Sequence, residues 1–187
     1  MIHSLQVSGW LIFLAVLITS LPPVVALRNR RMQKPAAAPQ PGGQPHVSVI
    51  MPARNEGAMI AEAVRSVLCT QLVTFELILV DDRSTDNTGK VMDQAAATDT
   101  RVRVIHIAEL PPGWLGKNHA MHTAAQNAAG KFLLFTDGDI LYQPETIAAA
   151  VEYAEREQLQ HLCLLPRMIP GSLIENVLTT FFGMCFA

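Results

Sequence analysis

The sequence predicts an α/β fold, a mainly parallel sheet flanked by helices and preceded by one transmembrane helix. Two observations carry that expectation. From residue 46 onward, short apolar runs alternate with stretches of helical periodicity, the pattern of repeated βαβ units. Ahead of them, residues 5–27 contain no charged side chain and meet the length of roughly 20 residues that a helix needs to cross a hydrocarbon layer.

Residues 1–27 are read as the anchor. Arg28, Arg30, Arg31 and Lys34 follow it directly. Basic flanks collect on the cytoplasmic side, so the domain is expected on the cytoplasmic face of the cell (inner) membrane. The competing reading is a cleaved signal peptide with Val24-Val25-Ala26 as its site. It lacks Lys or Arg before the apolar run, and its basic cluster stands after the run. Residues 28–45 are a linker, basic at first and then rich in Pro, Ala and Gly, whose prolines and glycines break regular structure.

The domain proper spans residues 46–170. It opens with a buried strand at 46–51. A helix over 57–70 places Ile60, Val64, Val67 and Leu68 on one face. Residues 75–80 form a second strand and 86–97 a second helix, with Ser84 or Thr85 as its cap. A third strand covers 101–107. A helix over 117–129 stops at Gly130. A fourth strand covers 131–136, and Pro144 opens a helix over 144–157. Residues 161–165 are a fifth strand candidate. Residues 171–187 are an apolar helix, either lying at the membrane interface or belonging to a core with further partners.

Composition narrows the function. Half of the 187 residues are hydrophobic and 16% are charged, which excludes a disordered chain. With 14 Lys and Arg against 16 Asp and Glu, there is no basic surface for nucleic acid. Cys69, Cys163 and Cys185 form no CxxC pair, so neither a disulfide framework nor a zinc site is supported. They read as small core hydrophobes.

The polar clusters all follow strands. Arg54-Asn55-Glu56 follows the first, Asp81-Asp82 closes the second and Asp137-Gly138-Asp139 closes the fourth. In open α/β sheets ligands bind beyond the carboxyl ends of the strands, so three clusters point to one edge. On extended backbone Asp137 and Asp139 share a face. Two carboxylates held together call for a cation, and an oxygen-only donor set favours Mg²⁺ or Mn²⁺. Two protein ligands leave positions open for substrate phosphates. Two acids at 81–82 exceed what a helix cap requires, which points to a ligand contact. Lys117 at a helix start invites an anion. His119 and His122, three apart, read as ordinary polar or packed histidines.

Four segments together resemble family 2 glycosyltransferases of the GT-A fold. They are Val-Ser-Val-Ile-Met-Pro-Ala-Arg-Asn-Glu (47–56), Val-Asp-Asp-Arg-Ser-Thr-Asp-Asn-Thr (80–88), Gly-Lys-Asn-His-Ala (116–120) and Phe-Thr-Asp-Gly-Asp-Ile (135–140). Pro-Pro-Gly-Trp-Leu-Gly-Lys-Asn-His (111–119) is similar to a membrane-associated branch that includes enzymes for carotenoid- or hopanoid-type lipids. The resemblance implies a nucleotide-sugar donor, usually a UDP-sugar, an inverting transfer to a lipid or isoprenoid hydroxyl, and a Mg²⁺ or Mn²⁺ ion. It implies that Pro52, Ala53, Asn55 and Glu56 surround the nucleotide, with Glu56 near base or ribose. Asp81 or Asp82 would contact the base, Lys117 the nucleotide or its phosphates, and Asp137 the ribose or metal-bound water. Asp139 would ligate the metal. Gly138 stands where the family more often has Ala. The family's general base lies further downstream, so this chain is expected to be a donor half, inactive by itself, with its base beyond Ala187. Two rival readings remain. One is a membrane-tethered nucleotide-sugar-binding module without catalysis. The other is a haloacid-dehalogenase-like phosphatase, whose usual Thr or Val is replaced by Leu141.

Overall fold

The computed structural model describes residues 46–166 and Ser172. The expected anchor and linker at 1–45, and all of the apolar stretch 171–187 but Ser172, lie outside the described residues. Among those described, no helix is long and apolar enough to cross a membrane. The fold below belongs to the compact unit of residues 33–162.

Strands and helices alternate: β1 (Val47–Ala53), α1 (Ile60–Leu68), β2 (Phe75–Asp82), α2 (Thr88–Thr98), β3 (Val102–Ile107), α3 (Gly116–Gln126), β4 (Phe132–Phe135) and α4 (Thr146–Arg156). The strands form one parallel sheet in the order β3-β2-β1-β4. Parallel neighbours require crossovers, and the helices supply them.

Every residue of β1 and β2 is buried, as expected for central strands covered on both faces. Alternation along the strands sorts the core into two layers. Val47, Val49, Met51, Leu77 and Leu79 meet Ile60, Ala63, Val64 and Val67 of α1, Met92 of α2 and Ile147 of α4. Ile50, Ile78 and Val80 face the other way and meet Ala120 and Ala124 of α3. Small alanines there let α3 lie close to the sheet.

Three expectations need correction. The first is the cap of the second helix. Neither Ser84 nor Thr85 caps α2; Asp86 Oδ1 accepts from the Thr88 backbone N–H at 2.9 Å instead. The second is the fifth strand. Residues 161–165 are not a strand, because apolar content does not suffice without a ladder partner. The third concerns the cysteines. Cys69 and Cys163 are exposed rather than in the core. Cys69 is the C-cap of α1, off the stripe of Ile60, Ala63, Val64 and Val67, and Cys163 lies in the irregular segment after α4.

Candidate functional site

The parallel sheet delivers the three polar clusters to one edge. Ala53 is the register partner of Asp81, and Ile50 that of Phe135, so the loops after β1, β2 and β4 leave the sheet side by side. The chain proceeds from β1 to β2 to β3 in one direction and then returns to the other side of β1. Such a reversal of strand order opens a crevice at the carboxyl ends of the two strands that flank it. Those strands are β1 and β4, which lead to Glu56 and to Asp137–Asp139.

On the β1–β2 side the loops are tied together. Asn55, at φ 57°, donates its backbone N–H to Ser84 Oγ at 3.1 Å, and its Oδ1 accepts from the Thr85 N–H at 2.8 Å. Thr88 Oγ1 accepts from the Glu56 N–H at 2.9 Å, and Asp86 Oδ2 from the Gly57 N–H at 3.1 Å. Pro52 and Ala53 are buried in the last positions of β1. Asp81 and Asp82 are not in the turn but in the last two positions of β2, where both are buried. Asp81 Oδ1 accepts from the Ser84 N–H at 3.0 Å. Asp82 takes a two-pronged bond from Arg83, Nε at 2.8 Å and Nη2 at 3.1 Å. Arg83 reaches back from φ 60°, a conformation uncommon outside glycine.

On the β4 side, Asp137 and Asp139 lie beyond the strand, and Asp139 stands in a turn rather than on a continuing strand. The chain turns at Gly138 and Asp139; both aspartates are exposed and the glycine between them is buried. Lys117, in the first turn of α3, donates from Nζ to Asp137 Oδ1. Glu56 lies beneath Gly138, since a methyl there would overlap Glu56 Oε2 and stand 3.3 Å from its Cδ. That Oε2 atom is buried and has no hydrogen-bond partner among the described residues. Burial first, then the charges of Asp139 and Asp137, push the Glu56 carboxyl above its ordinary range, with Lys117 partly offsetting them.

This arrangement fits a hard divalent cation. The donors are carboxylate oxygens, and the charges of Asp139 and Asp137 add to the effect of burial in raising the Glu56 pKa. Among the described residues no group of three or more His, Cys, Asp or Glu side chains is placed to hold an ion. Asp137 and Asp139 offer two exposed carboxylates, and Asp137 is paired with Lys117.

Gly138 matters for space. Gly138→Ala is expected to cost about 1 kcal/mol, because the opposing atom ends a flexible side chain. In a Glu56→Ala background most of that cost should vanish. Denaturant titrations of the four-member cycle check this, and strictly additive costs would contradict the contact.

The loop at 111–115 turns at Gly113, φ 83°. The Trp114 ring lies 5.4 Å from His119 and 5.1 Å from His122, centroid to centroid, so the two histidines are packing partners of Trp114. Gly116 opens α3 against the acidic cluster, and a methyl there would stand 2.7 Å from Arg83 Nη2. Reading from sequence gave no role to Arg83, Asp86 or Thr88 and only a capping role to Ser84, although all four fall in the 80–88 segment. The signal available was the polar run after a buried strand, richer than one turn requires.

Residues 48–184 match the profile of Glycosyl transferase family 2. EpsJ of Bacillus subtilis, an uncharacterized glycosyltransferase, is 35% identical over 115 residues, covering 62% of this chain and 32% of EpsJ. The undecaprenyl-phosphate 4-deoxy-4-formamido-L-arabinose transferase of Pseudomonas fluorescens is 33% identical over 115 residues, covering 58% of this chain and 32% of the transferase. Among solved structures, the mannosyltransferase PcManGT of Pyrobaculum calidifontis, in complex with GDP-Man and Mn²⁺, superposes with a TM-score of 0.53 at 27% identity. That match covers 75% of this chain and 42% of PcManGT. The chain thus spans about a third of the length of the curated relatives it matches here.

Proposed function

The chain belongs to glycosyl transferase family 2, and on that premise we propose that the carboxyl edge of its sheet binds a nucleoside-diphosphate sugar, a UDP-sugar in the first instance, for transfer with inversion to a lipid or isoprenoid hydroxyl. The observation that carries the reading is the convergence of Glu56, Lys117, Asp137 and Asp139 at the crevice between β1 and β4. Membership in the family sets aside the phosphatase reading.

Each side chain has a task that its surroundings permit. Pro52, Ala53 and Asn55 form the wall beside the nucleotide. Asp81 or Asp82 accepts a hydrogen bond from the base at the floor of the pocket. Glu56, whose buried Oε2 has no hydrogen-bond partner among the described residues, accepts from a hydroxyl of the ribose or a group of the base. Lys117 neutralises phosphate charge from the start of α3. Asp137 and Asp139 would hold Mg²⁺ or Mn²⁺, which supplies Lewis-acid stabilisation of the departing diphosphate. The present pairing of Lys117 with Asp137 keeps both side chains oriented toward that position.

The lipid acceptor is supported by the likeness to an undecaprenyl-phosphate transferase and by the apolar segments at 5–27 and 171–187. We place the chain at the inner membrane, anchored by residues 1–27, with the sheet on the cytoplasmic side. Protease protection in oriented vesicles checks this; protection of the domain inside a right-side-out vesicle is the expected result.

Calorimetry tests the donor site directly. UDP titrated into the chain is expected to bind with Mn²⁺ or Mg²⁺ present and at least about tenfold more weakly with the metal chelated. Folded protein that shows no metal-dependent UDP binding would sink the reading.

A further inference from the structure

β3 brings one side chain to the same edge that none of the roles above uses. His106 is the register partner of Asp81. Its Nδ1 lies 3.0 Å from Asp81 Oδ2, and its Nε2 lies 2.9 Å from Asp93 Oδ1 on α2. A neutral imidazole has one N–H and one lone pair, so it satisfies only one of two carboxylates; the imidazolium satisfies both. Gly89, in the first turn of α2, makes the close approach possible. A methyl there would stand 2.6 Å from Asp81 Oδ2 and 3.3 Å from His106 Cε1.

The other oxygen of Asp81 holds the turn after β2 through the Ser84 N–H at 3.0 Å. Ser84 and Thr85 in turn hold Asn55. One carboxylate therefore links His106 to both loops on the β1–β2 side of the pocket.

We propose that His106 is a positioning residue of the donor site: bonded to Asp81 and Asp93 at once, it clamps β3 and α2 to the turn that supports Asn55 and follows Asp82, and it loosens that clamp when it loses its proton, because it can then hold only one of the two carboxylates. The role rests on the donor-site reading above. The charged groups acting on the ring are Asp93 from α2 and Asp81 from β2. Their hydrogen bonds, Asp93 first, raise the His106 pKa above its ordinary 6.5. For Asp81, burial pulls upward, but the bonds from Ser84 and His106 outweigh it and hold the carboxyl below 3.8. A raised histidine contributes fully below its unfolded pKa, and the contribution is lost as pH rises through the folded value. The lowered Asp81 contributes above 3.8 and is lost as pH falls through its folded value. The clamp is whole between those two limits.

The test combines UDP affinity in Mg²⁺ with NMR of the free chain, each at a pH below and a pH above the His106 titration that the NMR reads. Wild type is expected to lose affinity by about fivefold between these values, beyond any change intrinsic to UDP and Mg²⁺. His106→Gln should bind about fivefold more weakly at the lower pH and lose that extra pH dependence. Without nucleotide, amide protection of Ser84 should fall in step with the His106 titration in wild type and be flat in His106→Gln. Asp93→Asn, which leaves the Asp81 bond, should lower the titration midpoint of His106 while the fold persists. Retention of the wild-type pH profile by His106→Gln, or Ser84 protection indifferent to His106 while UDP binds, overturns the proposal alone. Absence of UDP binding at every pH, with Ser84 still coupled to His106, overturns the donor-site reading and the positioning role with it.

Discussion

Asp139→Asn is expected to abolish the metal dependence of UDP binding and to weaken binding in Mn²⁺ by about 100-fold or more. Loss of a residue that merely supports a metal ligand already costs about 10–100-fold, and a ligand itself sits at or beyond the top of that range. The amide keeps the size of the side chain and removes its charge. Asp139 is exposed, so folding should be unaffected and thermal stability should match wild type. Asp137→Asn should be milder in its metal effect and should also free Lys117, whose partner is Asp137 Oδ1. Calorimetric titrations of UDP with and without metal separate the two variants. Unchanged metal-dependent binding by Asp139→Asn would move the ion elsewhere.

The largest effect on stability is expected at Gly130, far from the crevice. Read from sequence, this glycine stops a helix. In the structure α3 ends at Gln126, Asn127 is its C-cap, and Gly130 has no positive φ. Its need is space. A methyl would stand 2.7 Å from Val47 C and 2.8 Å from Ser48 Oγ, and closer still to Ser48 N, so backbone would have to move. The same spot holds a buried polar network. Ser48 Oγ donates to Glu76 Oε1 at 2.6 Å, which also accepts from the Ala129 N–H at 2.7 Å, while the Gly130 N–H donates to Ser48 Oγ at 2.8 Å. Overpacking typically costs about 1–3 kcal/mol, and buried groups left unpaired add about 1–3 kcal/mol. Gly130→Ala should therefore lose about 3–5 kcal/mol and lower Tm by at least about 10 °C. Denaturant and thermal unfolding check it, and a loss below about 1 kcal/mol would mean that β1 yields easily.

The order of the elements was legible in the sequence because periodicity is local. Ile60, Val64 and Val67 recur at helical spacing, and they are buried together. The apolar run at 77–80 requires cover on both faces, and β2 has it. The carboxyl-edge clustering followed in turn, since polar residues after parallel strands can only exit at one end. Where local signals misled, pairing or packing decided. Residues 161–165 carry strand-like residues without a ladder, and Cys69 falls one position past the end of α1, off its buried stripe.

By itself the sequence determined the alternation of strands and helices, the parallel sheet that alternation demands, and the edge at which the acids gather. Only the tertiary structure decided which side chains meet there. Gly130 and Ser48 stand 82 positions apart, and His106 and Asp81 stand 25 apart. Such contacts depend on the strand order β3-β2-β1-β4 and on registers of single residues. Local propensity extends over a few neighbours and encodes neither. That is why Glu56 beneath Gly138, Arg83 on Asp82 and His106 between two carboxylates emerged from the packing of the sheet.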